Sequence, residues 1–310
     1  MRREADSRKP IADSRKPIAD SRKPEAGSRK PIAAGVLLSV AALLVAVPFP
    51  ARAQQIPHTV GRWEPDSTGN HRAVVRVASP ADAVRVHLDW RRRDRNPEEK
   101  RVVVVAAATG ERVANVARAQ VTRESGDIVF QPAAGAGDYW VYWMPYQGTF
   151  RSNYPRITYR PQDSTAAADW LSRNQLTADG LRGAAWRGLS EARVVEFQAV
   201  DSMSTMWPME TIATGEETRA LLARHPGAAY LLFPEDRTRP IRMPDDLPQR
   251  WIETGANGPV TGEALRGEFY SFQVGLWAVD RAVDSVAVRF ADLRLAGRID
   301  EPRMIRANAR

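Results

Sequence analysis

The chain has 310 residues, enough for two ordinary domains with cores of their own. Its formal charge of +8 invites a nucleic-acid reading, but residues 1–53 hold eleven Lys or Arg against five Asp or Glu, a balance of +6. Residues 54–310 are left with only +2, too little to attract a phosphate backbone, so nucleic acid is not an expected partner. Cysteine is absent, which excludes a disulfide framework, a thiolate metal site and a lipid-bearing N-terminal cysteine.

Four heptapeptides open the chain: ADSRKPI, ADSRKPI, ADSRKPE and AGSRKPI over 5–32. Seven is also the coiled-coil period, but Pro10, Pro17, Pro24 and Pro31 recur once per unit and forbid a continuous helix. Residues 1–31 therefore read as a disordered basic extension, dispensable or else a tether. Residues 32–47 follow as an uncharged apolar run behind Arg29 and Lys30, and Ala51-Arg52-Ala53 ends the segment. A basic flank, a short apolar core and a small-x-small end describe a secretory signal over 32–53, cleaved after Ala53. Sixteen residues fall short of the about 20 that a membrane span needs, so no stable membrane anchor is expected after cleavage.

Residues 72–77 and 83–90 alternate apolar and polar side chains, with Val84, Val86, Leu88 and Trp90 on one face and Arg85, His87 and Asp89 on the other. That period of two predicts strands packed on one side. Further strand-like stretches lie at 102–108, 112–121 and 127–131. YWVYWMPY at 139–146 is aromatic on both faces, so both sides of it should be covered. Short strands at close spacing predict a first β-sandwich domain over 58–160. Residues 161–186 turn Ala-rich and read as two short helices joining domains, with Asp163 or Ser164 as a cap.

Strand character resumes at 192–200. Thr214-Gly-Glu-Glu217 is a capping box that starts a helix, and His225-Pro226-Gly227 stops it. AAYLLF at 228–233 suits a strand buried on both faces. The clearest strand is GEFYSFQVGLWA at 267–278, with Tyr270, Phe272, Val274 and Leu276 on one face. A second alternation, Val286, Val288 and Phe290, predicts an antiparallel neighbour facing inward. The second β-rich domain is thus 187–298. The fold class is mainly β: two β-sandwich-like domains with a few short helices.

Chemistry is sparse. The four histidines, His58, His71, His87 and His225, lie in no metal-ligand spacing, and no Gly-x-Ser-x-Gly elbow or phosphate-cradling loop occurs. No catalytic, cofactor or metal residue is expected. Carboxylate pairs could in principle serve glycoside hydrolysis, but Glu216-Glu217 is explained by capping and Glu98-Glu99 by a solvated loop. Glu235-Asp236 and Asp245-Asp246 lie in Pro-rich loops among Arg237, Arg239, Arg242 and Arg250, where ion pairing explains them equally well. A flat aromatic face can stack on sugar C–H bonds, and Trp207 in MWPM sits in a loop. Trp207, Glu235, Asp236, Asp245 and Asp246 are therefore the candidate carbohydrate contacts, and a glycan the expected partner. Trp90, Trp140, Trp143 and Trp277 are expected to fill cores.

Four long stretches carry a resemblance: VVEFQAVDSMSTMWPMETIAT at 194–214, AAYLLFPEDRTRPIRMPDDLPQRWIE at 228–253, GEFYSFQVGLWA at 267–278 and VAVRFADL at 286–293. With the aromatic DYWVYWMPY at 138–146, they resemble the N-terminal region of glycoside hydrolase family 123 proteins. The resemblance implies a secreted β-N-acetylgalactosaminidase context. In such enzymes a β-sandwich region precedes a (β/α)₈ barrel that holds an Asp-Glu pair and uses the substrate's acetamido group as nucleophile. A barrel takes about 250 residues, so residues 299–310 read as a truncated link to one, and Asp300-Glu301 is not assigned its catalytic pair. The expectation is a non-catalytic accessory region, as a fragment or as a relative without its barrel. The alternatives are a stand-alone carbohydrate-binding module and a structural or interaction sandwich of the cell envelope.

Overall fold

The computed structural model describes residues 56–149, 156–206 and 209–291, and the backbone pair β13–β14 introduced below. The heptapeptide repeat, the apolar segment at 32–47, Trp207 and Asp300-Glu301 lie outside the described residues. The fold is mainly β, with several sheets and few short helices.

Strands β1 (His58–Val60), β2 (His71–Val77), β3 (Val84–Leu88), β4 (Val102–Ala106), β5 (Val116–Val121), β6 (Gly126–Phe130) and β7 (Gly137–Trp143) belong to one eight-stranded sheet. Its order is β4-β7-β2-β10-β3-β6-β5, where β10 is Ser190–Ala199 and β1 lies parallel beside it. The ten-residue β10 is the hinge of the sheet. Its first residues pair in parallel with β3; the rest run antiparallel to β2, with a bulge between Val194 and Glu196. The sheet thereby folds into two layers that face one another across a single core.

That core is what the period of two predicts. Ala73, Val75 and Val77 of β2 meet Val84, Val86 and Leu88 of β3, Ile128 and Phe130 of β6, and Tyr139, Val141 and Trp143 of β7. Each fully buried Val, Leu or Phe contributes about 1.5–3 kcal/mol relative to exposure. Strand β7 is covered on its other face too: Trp140 and Tyr142 pack with Val103, Val105 and Trp63. Arg72 lies in that outer cluster, its guanidinium 4.5 Å and 4.3 Å from the rings of Trp63 and Trp140.

Two differences from the sequence pattern concern domain organisation. The strand expected to open a second domain, β10, is central to the first sheet, so no boundary falls at 187. The helices expected to join domains, α1 (Ala168–Arg173) and α2 (Ala178–Gly183), cover the outer face of the second layer. There Trp170, Leu176 and Trp186 pack on Ala83, Ala117 and Val129. Asp163 caps neither helix. It accepts hydrogen bonds from Arg112 at 3.0 Å and 3.1 Å, and α1 has Ala167 at its N-cap with no side-chain cap. Charge pairing with Arg112 and Arg101, which flank β4 in the chain, occupies the Asp163 carboxylate instead.

A hairpin of β8 (Tyr146–Thr149) and β9 (Arg156–Tyr159) stands at one end of the sandwich. After β10 the chain forms α3 (Gly215–Ala223), β11 (Tyr230–Asp236), α4 (Gln249–Thr254) and β12 (Phe272–Ala278). The capping box is present as the spacing predicts: Thr214 Oγ1 accepts from the Glu217 amide, and Glu217 accepts from the Thr214 amide at 2.8 Å. Strands β11 and β12 pair antiparallel as a two-stranded ribbon. Leu231, Phe233, Leu221 and Trp251 form its core.

Where a second sandwich-like domain is expected, the described residues after β10 thus hold this ribbon and two helices. The register explains why. Gly275 faces inward beneath Trp251, and a Cβ there would fall inside the indole's van der Waals envelope. Phe272, Val274 and Leu276, expected to face the core, are exposed instead. Val286, Val288 and Phe290 are exposed too, and no strand forms over 281–291. A further short pair, β13 (Leu293–Arg294) with β14 (Met304–Ile305), follows.

His87 lies on the solvent side of β3 as expected, but it is not idle. Hydrogen bonds to Asp89 and then Asp127 favour its imidazolium and raise its pKa from 6.5 to about 9, against the opposing effect of partial burial. A raised folded-state value means stabilisation fully present below about pH 6.5 and lost as pH rises through about 9. The stability difference between wild type and His87→Gln should therefore shrink as denaturant melts are moved from neutral pH to above 9. A difference that grows over that range would show the pairing assignment to be wrong.

Candidate functional site

At the end of the sandwich beside the β8–β9 hairpin lies a cavity of about 480 Å³, within the size range of small-molecule sites. Each wall traces to a local feature of the chain. Asn70 and His71 enter β2; Trp143 and Met144 leave β7; Tyr146 and Tyr159 come from the hairpin; Trp90–Asp94 is the loop after β3; Met203–Met206 and Glu210–Thr211 close the far side. Two backbone turns shape it: Arg91 (φ 46°) and Met144 (φ 61°) are both left-handed, a costly conformation for side chains with a Cβ that tends to cluster at functional sites.

Aromatic surface forms much of the wall. His71 stacks on Trp143 with ring centroids 5.9 Å apart and 12° between planes, and Trp90 tilts against Trp143 at 5.8 Å. His71 Nε2 lies 2.8 Å from the Ser204 carbonyl. A carbonyl can only accept, so Nε2 carries the proton and Nδ1 is the acceptor nitrogen. Burial lowers the His71 pKa below its ordinary value, so the ring is neutral at pH 7.

The charged part is arginine-rich. Arg92 is only 5% exposed; its Nε and Nη2 each donate to Asp94 at 2.8 Å, and it lies over the Trp90 ring at 4.7 Å. Lys100 Nζ donates to the same carboxylate at 2.7 Å. Burial works to raise the Asp94 pKa, but the hydrogen bonds and charges of Arg92 and Lys100 prevail and hold it below the ordinary carboxylate value. Glu210 is shared between Arg93 at 3.5 Å and Arg242 at 3.1 Å. Arg91 reaches away to Glu217 at 2.7 Å and 2.9 Å, tying the loop to the capping box of α3. Both carboxylates that line the cavity are therefore paired with cations, an arrangement for binding and orienting.

The candidate contacts expected from sequence lie elsewhere. Glu235 is 4% exposed and accepts from Arg250 Nε at 2.9 Å and Trp251 Nε1 at 3.1 Å, so it is bound up in the ribbon's core. Asp236 accepts from Thr238 and from the Tyr270 hydroxyl at 2.6 Å, and these hydrogen bonds hold its carboxyl well below the usual range. Asp245 and Asp246 line a second, more open cleft of about 630 Å³, paired with Arg95 at 3.0 Å and Arg123 at 2.6 Å. Ion pairing with a nearby loop arginine holds for Glu235 with Arg250, whereas Asp236 is held by Thr238 and Tyr270, and the arginines paired with Asp245 and Asp246 come from the sandwich. None of the four lines the 480 Å³ cavity. Arg92, His71 and Tyr159 are the residues that sequence reasoning missed. The one available signal was Arg91-Arg92-Arg93 directly after a strand ending in Trp90, which reads as a charged loop.

Residues 61–200 match the family model described as glycoside hydrolase 123, N-terminal domain. These residues are a glycoside hydrolase 123 N-terminal domain. The match takes in β2 to β10, hence the whole sandwich except β1. No curated protein and no solved structure matches the chain. The glycoside hydrolase 123 N-terminal domain supplies three of the cavity's walls: the start of β2, the loop after β3 and the end of β7 with the hairpin that follows. The remaining wall, 203–211, and Arg242 come from beyond the matched residues.

Proposed function

We propose that this glycoside hydrolase-related region is a non-catalytic, glycan-contacting part of a secreted protein, concerned with β-N-acetylgalactosaminide-type sugars. The observation that carries the reading is the cavity's make-up. The part-buried rings of His71 and Tyr159, backed by the buried Trp143 and Trp90, suit the C–H face of a sugar ring, and fixed polar groups beside them suit hydroxyls. Asp94 and Glu210 are committed to cations, so neither is placed to act as the protonated general acid that glycoside hydrolysis requires. Export through the 32–53 segment, with cleavage after Ala53, belongs to the same proposal.

The purified chain should show no turnover of a chromogenic β-N-acetylgalactosaminide, while titration calorimetry with an N-acetylgalactosamine-containing oligosaccharide shows saturable binding. Hydrolysis abolished by Asp94→Asn or Glu210→Gln would overturn the non-catalytic assignment. Absence of heat with every oligosaccharide of a broad panel would overturn the glycan assignment. A second reading, an interaction sandwich of the cell envelope, is favoured by the exposed apolar face of β12 at Phe272, Val274 and Leu276.

A further inference from the structure

We propose that the 480 Å³ cavity takes the carboxylate of an acidic sugar, a uronic-acid residue within a glycan, through an arginine cluster centred on Arg92. The proposal rests on the glycan reading above and narrows its ligand. Arg92 lines the cavity, and its guanidinium is almost wholly buried. Two of its nitrogens are taken by Asp94, but Nη1 is buried with no hydrogen-bond partner among the protein's atoms. An unpaired donor on a buried cation is unfavourable, and an incoming anionic oxygen is the group that relieves it best.

The surrounding charge points the same way. Arg91, Arg92, Arg93 and Arg242 line the cavity, against the carboxylates of Asp94 and Glu210. Asp94 is already divided between Arg92 and Lys100, and Glu210 between Arg93 and Arg242. Two guanidiniums carry about ten N–H donors, whereas one carboxylate offers about four lone-pair sites, so Glu210 cannot satisfy both arginines. Arg93 and Arg242 are half-exposed, with side chains 50% and 51% accessible. They therefore stand at the rim with donors to spare, while Arg92 waits below. Guanidinium forks match the planar geometry of a carboxylate, and the part-buried ring of His71, backed by the buried Trp143, offers the sugar ring a flat wall.

The test uses calorimetry on the full chain with two probes: unsulfated chondroitin oligosaccharide, and the same oligosaccharide with its carboxyl groups reduced to alcohols. The acidic probe should bind at least about tenfold more tightly than the reduced one, and added salt should erode that advantage. Arg242→Glu, a change at the exposed rim, should abolish the acidic probe's advantage over the reduced one. Arg92→Met should do the same; if it does not fold, Arg242→Glu decides. Equal affinities for the two probes would overturn the acidic-sugar assignment and leave the glycan reading standing. An Arg242→Glu variant that keeps the full advantage would overturn its placement in this cavity. Binding of neither probe, nor of any other oligosaccharide, would overturn both readings.

Discussion

Trp251→Ala is expected to destabilise the ribbon unit by about 3–5 kcal/mol, the range for removing a large buried aromatic. Trp251 is 4% exposed and lies flat on Phe233, with centroids 4.3 Å apart and 1° between planes. Its indole N–H donates to Glu235, a buried carboxylate that also accepts from Arg250. The edge of its six-membered ring lies over Gly275, the cross-strand partner of Phe233. Removing the indole thus empties a stacked position, takes a donor from a buried anion and leaves β12 without its cover. Gly275→Val should produce a related loss from the opposite direction, because the added side chain must displace the ring. Denaturant melts followed by tryptophan fluorescence would check both. The expected pattern is an early transition for residues 209–279 and a later one for the sandwich. Wild-type melting of Trp251→Ala would contradict the packing described.

Arg72→Ala is the second large effect, about 3 kcal/mol, and it acts within the sandwich. Arg72 is buried on the outer face of the first layer, not in a cavity. Its Nε donates to Gln198 Oε1 at 2.7 Å and its Nη1 to the Tyr142 hydroxyl at 2.8 Å, between the rings of Trp63 and Trp140. A desolvated cation–π contact is worth about 2 kcal/mol, and a hydrogen bond from a charged group about 1.5–3. The cost of burying the guanidinium offsets part of that sum, which is why the net figure is smaller than the total. Arg72→Lys should recover little, since an ammonium lacks the planar face that two indoles clasp. Thermal melts of the two variants, with Trp63 emission as a reporter, would test this. A Lys variant as stable as wild type would show that charge alone matters there.

Much of the sandwich was legible because its rule is local. Where one side of a strand faces the core, period two appears directly in the residues, as in Val84, Val86 and Leu88. The capping box at Thr214 was equally legible, since its partners are three residues apart. What escaped depends on distant partners. The alternation of Phe272, Val274 and Leu276 marks an apolar face correctly, but which face is covered was decided by Trp251, which needs the room left by Gly275. Likewise β10 looks like any strand, and only its pairing with both β2 and β3 makes it the centre of the sheet. The cavity escaped for the same reason. Its walls are drawn from segments as far apart as Asn70 and Arg242, and arginines in a loop carry no mark of burial. Aspartates beside arginines in a Pro-rich loop did signal ion pairing, though the partners proved to be Arg95 and Arg123.

The most direct measurement is NMR mapping of the side-chain resonances of Trp90, Trp143 and His71 during titration with an N-acetylgalactosamine-containing oligosaccharide. If the cavity is the glycan site, these three should shift together and saturate at one concentration, while Trp251 and Trp277 stay unmoved. Saturating shifts confined to Trp277 and the Asp245–Asp246 cleft, with Trp90, Trp143 and His71 unchanged, would contradict it.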